Sequence, residues 1–92
     1  MTQITQVNNR WNLNGDLVIG TAKSILTDSE TLLIGTDTVI DFEQVDDIDT
    51  TAVSLIFEWK RRAIKESQTL TFTNLPINLT SLVQLYGVED LI

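Results

Sequence analysis

Ninety-two residues suffice for one compact domain with a modest core and leave no room for two lobes closing on a large cleft. The chain has neither cysteine nor histidine, which excludes thiol nucleophiles, imidazole bases, disulfides and the commonest zinc ligands together. Thirteen acidic against six basic side chains give a net charge of −7, which opposes nucleic acid and anionic lipid surfaces and favours a basic protein surface as partner.

Met1 is followed by polar residues with no basic or apolar leader pattern, and no apolar run approaches a bilayer span. A cytoplasmic domain without direct membrane insertion is expected. Ile4 and Val7 flank a polar stretch that reads as a short edge strand, and Asn8-Asn9 supplies the turn of an opening hairpin. The second arm alternates, with Trp11 and Leu13 on one face and Asn12 and Asn14 on the other, until Gly15 is expected to break it. From Thr21 onward Ala22, Ile25, Leu26, Ser29 and Leu33 keep helical spacing through poor helix formers. Gly35-Thr36-Asp37 reads as a loop.

The stretch Thr38 to Lys65 organises the rest. Val39, Ile40 and Phe42 form a short apolar run suited to an interior strand. Glu43 to Asp49 holds four carboxylates and reads as an acidic turn, after which Asp49 or Thr50 is placed to cap a helix beginning near Thr51. On that helix Ala52, Val53, Ile56, Trp59, Ala63 and Ile64 fall on one side, with Leu55 and Phe57 on opposite flanks. Trp59 lies near the middle of the apolar arc and belongs to the core, whereas the Phe57 flank is contact surface. Ser54, Glu58, Arg61, Arg62 and Lys65 take the solvent side.

Thr69 to Thr73 alternates as a strand covered on one side, with Leu70 and Phe72 inward. Asn78 is a candidate cap for a helix carrying Leu79, Leu82, Val83 and Tyr86 before Gly87 stops it, and the apolar Val88, Leu91 and Ile92 are expected to fold back on the domain. This order predicts a single α/β domain over residues 1–92, with a mixed sheet of about four strands and helices mainly on one face.

Ile40-Asp41-Phe42 through Val45, followed by Ile48-Asp49-Thr50-Thr51-Ala52, resembles the signature of STAS domains, a hydrophobic strand and a D-S/T turn opening a helix. Asn14-Gly15-Asp16-Leu17 looks like the family's strand-ending G-E/D-L. Phe57-Glu58-Trp59 with Arg62-Ala63, and Thr73-Asn74-Leu75-Pro76 with Leu85 to Leu91, are similar to the branch containing MlaB, and the likeness covers roughly residues 11 to 92. The resemblance implies a STAS-like fold and a non-catalytic subunit without a cofactor. Such a subunit docks on the ATPase (MlaF-like) of a phospholipid ABC transporter that maintains outer-membrane lipid asymmetry, and sits at the inner membrane through that complex.

In relatives that antagonise anti-sigma factors, the hydroxyl residue after the turn's Asp is phosphorylated. The resemblance places that hydroxyl at Thr50, so a phosphorylation-switched antagonist is the alternative function. Thr51 and Ala52 stand where the family carries a small residue and Gly. Partner contact is therefore expected at Asp49, Thr50, Thr51 and Phe57, with Thr50 also a structural cap and the phosphorylation candidate. A phosphate there meets a favourable helix dipole but also the charges of Asp46, Asp47 and Asp49. Those three carboxylates lack the Gly and the later bidentate Glu of an EF-hand loop, so no metal site is expected. Nothing beside them reads as a nucleophile or an oxyanion donor, and no enzyme is expected.

Overall fold

The computed structural model describes residues 3–87. The elements run β1 (Gln3–Val7), β2 (Arg10–Leu17), α1 (Ile19–Ser29), β3 (Thr38–Ile48), α2 (Thr51–Lys65), β4 (Leu70–Thr73) and α3 (Ile77–Leu85). They build a four-stranded mixed sheet in the order β1-β2-β3-β4, the α/β fold expected from the sequence. β1 and β2 pair antiparallel across the Asn8-Asn9 turn, where Asn8 takes the left-handed conformation (φ 56°) that Asn tolerates. The crossovers through α1 and α2 make β2–β3 and β3–β4 parallel.

Register sets the two faces of the sheet. Trp11 lies beside Ile40 and Ile40 beside Phe72, so one row of apolar side chains faces the helices. The neighbouring row runs Asn12–Asp41–Thr73 and stays polar. On that polar face Asp41 pairs with Arg10 at 2.8 Å and accepts hydrogen bonds from Asn74 Nδ2 at 3.0 Å and the Glu43 amide at 2.9 Å. Burial works to raise the Asp41 pKa, but the Asn74, Arg10 and Glu43 hydrogen bonds together with the Arg10 charge outweigh it and hold the carboxyl below its ordinary value.

The core centres on two tryptophans, Trp11 and Trp59, which meet edge to face at 6.1 Å and 87°. Each indole N–H finds a partner, Trp59 donating to Ser29 Oγ at 3.0 Å and Trp11 to the Leu33 carbonyl at 3.1 Å. Ile25, Leu55, Leu79 and Val83 complete one contiguous cluster, drawing all three helices onto it.

Several sequence expectations are corrected. The segment expected to be an acidic turn continues β3 as far as Ile48, since its neighbour β2 also runs on to Leu17. Gly15 does not end β2 but sits at φ 104° between two register shifts, a bulge that lets the strand continue. α1 starts two residues before Thr21 and ends at Ser29, which leaves Leu33 outside it and exposed. Asn78 lies inside α3, whose N-cap position is held by Pro76.

On α2, Leu55 is buried and Ile64 is exposed. Leu55 is four residues before Trp59 and rotated from it by only about 40°, whereas Ile64, five residues after, is rotated by about 140°. The fold-back expected of Val88, Leu91 and Ile92 lies outside the described residues.

Candidate functional site

The junction between β3 and α2 is built on Asp49. Its Oδ1 accepts the Thr51 amide at 2.9 Å and the Thr51 hydroxyl, and its Oδ2 accepts the Ile19 amide at 2.9 Å. One carboxylate thereby satisfies free N–H groups at the starts of both α1 and α2. The hydrogen bond from the Thr51 side chain, followed by that from the Ile19 amide, holds Asp49 below its ordinary pKa, so it is ionised at neutral pH. Of the two capping residues proposed from sequence, Asp49 does the capping. Thr50 occupies the N-cap position with helical angles (φ −62°, ψ −21°) and makes no side-chain cap bond.

Two consequences follow for the adjacent threonines. Thr51 is half-buried with its hydroxyl proton committed to Asp49, while Thr50 is exposed. The outward ridge of α2 then continues from Thr50 through Ser54 to Phe57, whose ring is 37% exposed as its flank position predicts.

A groove of about 340 Å³ runs along this ridge between α2 and the end of α3, lined by Thr50, Thr51, Val53, Ser54, Phe57 and Tyr86. At Thr50 it meets a second hollow of about 430 Å³, walled by Ile48, Asp49, Leu82 and Leu85. At Phe57 it meets a third of about 220 Å³, reaching Lys60, Arg61 and Ile64. Of the four residues expected at a partner contact, Thr50, Thr51 and Phe57 line the groove, and Asp49 lines the hollow adjoining it at Thr50. Leu85 and Tyr86, at 76% and 52% exposure, give these hollows an apolar wall that the sequence reading did not assign to the site. The signal was present: Leu85 falls off the Leu79–Leu82–Val83 face of α3 and is an apolar residue without a place in the core.

The hollows are open, lined by the hydroxyl-bearing Thr50, Thr51 and Ser54 as well as by Phe57, Tyr86, Leu82 and Leu85, with Asp49 adding a carboxylate at one end. Among the described residues no cluster of Asp and Glu has metal-binding geometry, and no helix is long and apolar enough to cross a membrane.

No curated protein matches the chain. Solved structures do. The anti-sigma factor antagonist SpoIIAA in its unphosphorylated form is similar over 91% of this chain and 82% of its own, with a TM-score of 0.70 and 18% identity. A structure described as a crystal structure analysis of Mglu is similar over 79% of this chain, with a TM-score of 0.59 and 24% identity. The present chain spans only 19% of that chain's length. At these identities the likeness is one of fold, a mixed four-stranded sheet with its helix-opening turn after the central strand. The sequence itself carries the assignment further, because the family described as "Mlab, STAS domain" matches residues 1–92 from end to end. With the D-T turn, the helix it opens and the sheet order all in place, the chain belongs to the Mlab STAS-domain family.

Proposed function

We propose that this STAS domain is the small non-catalytic subunit of a phospholipid ABC transporter maintaining outer-membrane lipid asymmetry, docking on the transporter's ATPase through the Thr50–Phe57 depression. The observation that supports it is that Phe57 and Tyr86 line one groove and Leu85 the hollow adjoining it at Thr50, three of the large apolar side chains that this acidic chain leaves exposed. Exposed apolar side chains gathered at a groove with a polar rim mark a protein interface. The acidic lip at Asp49, with a net charge of −7, suits a basic surface on the ATPase and steers its approach. On this reading the domain lies in the cytoplasm, peripheral to the inner membrane through its complex.

A second reading is supported by the exposed Thr50, which makes no cap bond and is open to a kinase. There the domain is an anti-sigma factor antagonist switched by phosphorylation at Thr50.

The deciding experiment pairs intact-mass spectrometry of the native protein with pull-downs of variants by the ATPase. In the transporter reading native protein carries no phosphate at Thr50. Phe57→Asp then loses about tenfold or more in affinity while staying folded, Thr50→Ala binds slightly less well than wild type, and Thr50→Glu much less. Substantial phosphate at Thr50, together with undiminished binding of Thr50→Ala to a kinase partner, selects the antagonist.

A further inference from the structure

A separate crevice opens on the other side of the α2 ridge, between α1 and α2. Its volume is about 240 Å³ and its walls are Ala22, Leu26 and Leu55, with Lys23 and Glu58 at the mouth. Thr51 and Ser54 line both this crevice and the Phe57 groove, so the two hollows are separated by a single turn of helix. A partner that covers Thr50 and Phe57 stands one helix width from it.

The charges at the mouth are unequal in what they have left to offer. Glu58 is engaged by Arg61 at 3.5 Å on the same helix. Of the other cations, Arg10 is engaged by Asp41, Arg62 by Glu66, and Lys60 by the Leu70 carbonyl and the Phe72 ring, while Lys65, exposed at the far end of α2, lines none of these hollows. Lys23 is exposed and has no ion-pair partner among the described residues. An unpaired cation beside an apolar slot, on a chain of net charge −7, presents a local reversal of sign at the edge of the docking face.

We propose that the α1–α2 crevice is a second anchor point of the docking surface. It receives one apolar side chain of the docked ATPase, with an adjacent carboxylate of the ATPase paired to Lys23. The inference rests on the docking reading above and extends it from one side of α2 to both. An apolar anchor in a pocket beside a matched charge is the arrangement in which interface energy concentrates. The opposite charges at Asp49 and Lys23 would fix the orientation in which the partner sits.

The test measures affinity of the full chain for the ATPase subunit by titration calorimetry, with circular dichroism and urea midpoints as folding controls. Ala22→Phe fills the crevice, with Ala22→Leu as the smaller filler should the phenylalanine impair folding, and Lys23→Glu reverses the charge. Each is expected to weaken binding about tenfold, and the Lys23→Glu loss is expected to shrink as salt is raised. Wild-type affinity in either folded variant, in a series where Phe57→Asp loses binding, overturns the second anchor alone. A wild-type domain that does not bind the ATPase overturns the docking reading and this inference with it.

Discussion

The inner and outer faces of α2 belong to one fifteen-residue helix and are built on opposite terms. Inward, Ala52, Leu55, Ile56, Trp59 and Ala63 are all below 4% exposure, and every buried side-chain polar atom among the described residues has a partner. Outward, Thr50, Ser54, Phe57 and Ile64 are exposed, and the grooves beside them are open. Because the inner face already supplies the packing that holds α2 on the sheet, residues on the outer ridge can be chosen for contact without cost to the fold. Substitutions at Ala52, Ile56, Trp59 and Ala63 should therefore move stability and spare binding surfaces, substitutions outward should do the reverse, and Leu55, which also walls the α1–α2 crevice, should move both.

The strongest way to break that contrast is Trp59→Ala. It removes the ring that meets Trp11 and orphans Ser29 as an acceptor, in a site with 1% exposure. Removal of a large buried aromatic costs about 3–5 kcal/mol, against a total of roughly 5–15 kcal/mol for a domain of ordinary stability. The urea midpoint should fall steeply, or the domain should fail to fold. A loss under about 1 kcal/mol would mean that Trp59 is not the centre of the core.

Next in size is Arg62, which lies at the boundary between the two faces. Its guanidinium donates to the Ser29 carbonyl at 2.9 Å and to the Leu32 carbonyl, pairs with Glu66 at 2.9 Å and lies 5.6 Å from the centre of the Trp11 ring. It thereby satisfies carbonyls at and beyond the end of α1, where an α-helix leaves its last acceptors free. Arg62→Met keeps the aliphatic stem and removes these bonds, with an expected loss of about 1–3 kcal/mol. Hydrogen exchange should localise the loosening to residues 29–33. Uniform loosening across the sheet instead would place the role of Arg62 elsewhere.

What the sequence made legible follows the same division. The span of α2, the hairpin, the central apolar run of β3 and the strand at Leu70 were readable because burial on one face imposes a period, and period is what a sequence displays. The far half of β3 was not. Beyond Asp41 it has lost its β4 neighbour, so Glu43, Gln44, Asp46 and Asp47 are exposed and the usual alternation disappears. A strand that is held by one neighbour, and past Phe42 has only the half-buried Val45 and Ile48 against the core, looks like an acidic turn. The site was legible in part for a related reason. Thr50 and Phe57 belong to one helix and could be placed by angle, whereas the Leu85 and Tyr86 wall depends on how α3 docks, which no local pattern encodes. Resemblance to the STAS family located the turn; it took the fold to show that Asp49, and not Thr50, caps the helix.

The smallest expected effect separates those two neighbours by pH. Asp49 has its folded-state pKa lowered by the Thr51 and Ile19 hydrogen bonds. A lowered carboxyl contributes stability that is fully present above its unfolded value, near 3.8, and is lost as pH falls through the lower folded value. Asp49→Asn keeps the outline, removes the charge and turns one of the two accepting oxygens into an NH2 donor, so the Ile19 amide or the Thr51 pair loses its acceptor. At neutral pH it should cost about 1 kcal/mol, since one bond is lost at a partly solvated site and the remaining neutral acceptor binds an amide more weakly than a carboxylate does. As pH falls from 3.8 through the lower folded value the wild-type carboxylate becomes protonated and loses the charge advantage, so the two urea midpoints should converge. Asp41, also lowered, is unchanged in both proteins and its contribution cancels in the difference. Midpoints that stay equally far apart down to the acid limit would show that Asp49 acts through shape and not through charge. Convergence would establish that the ionised carboxylate joins the starts of α1 and α2, a task in which the Thr50 side chain takes no part.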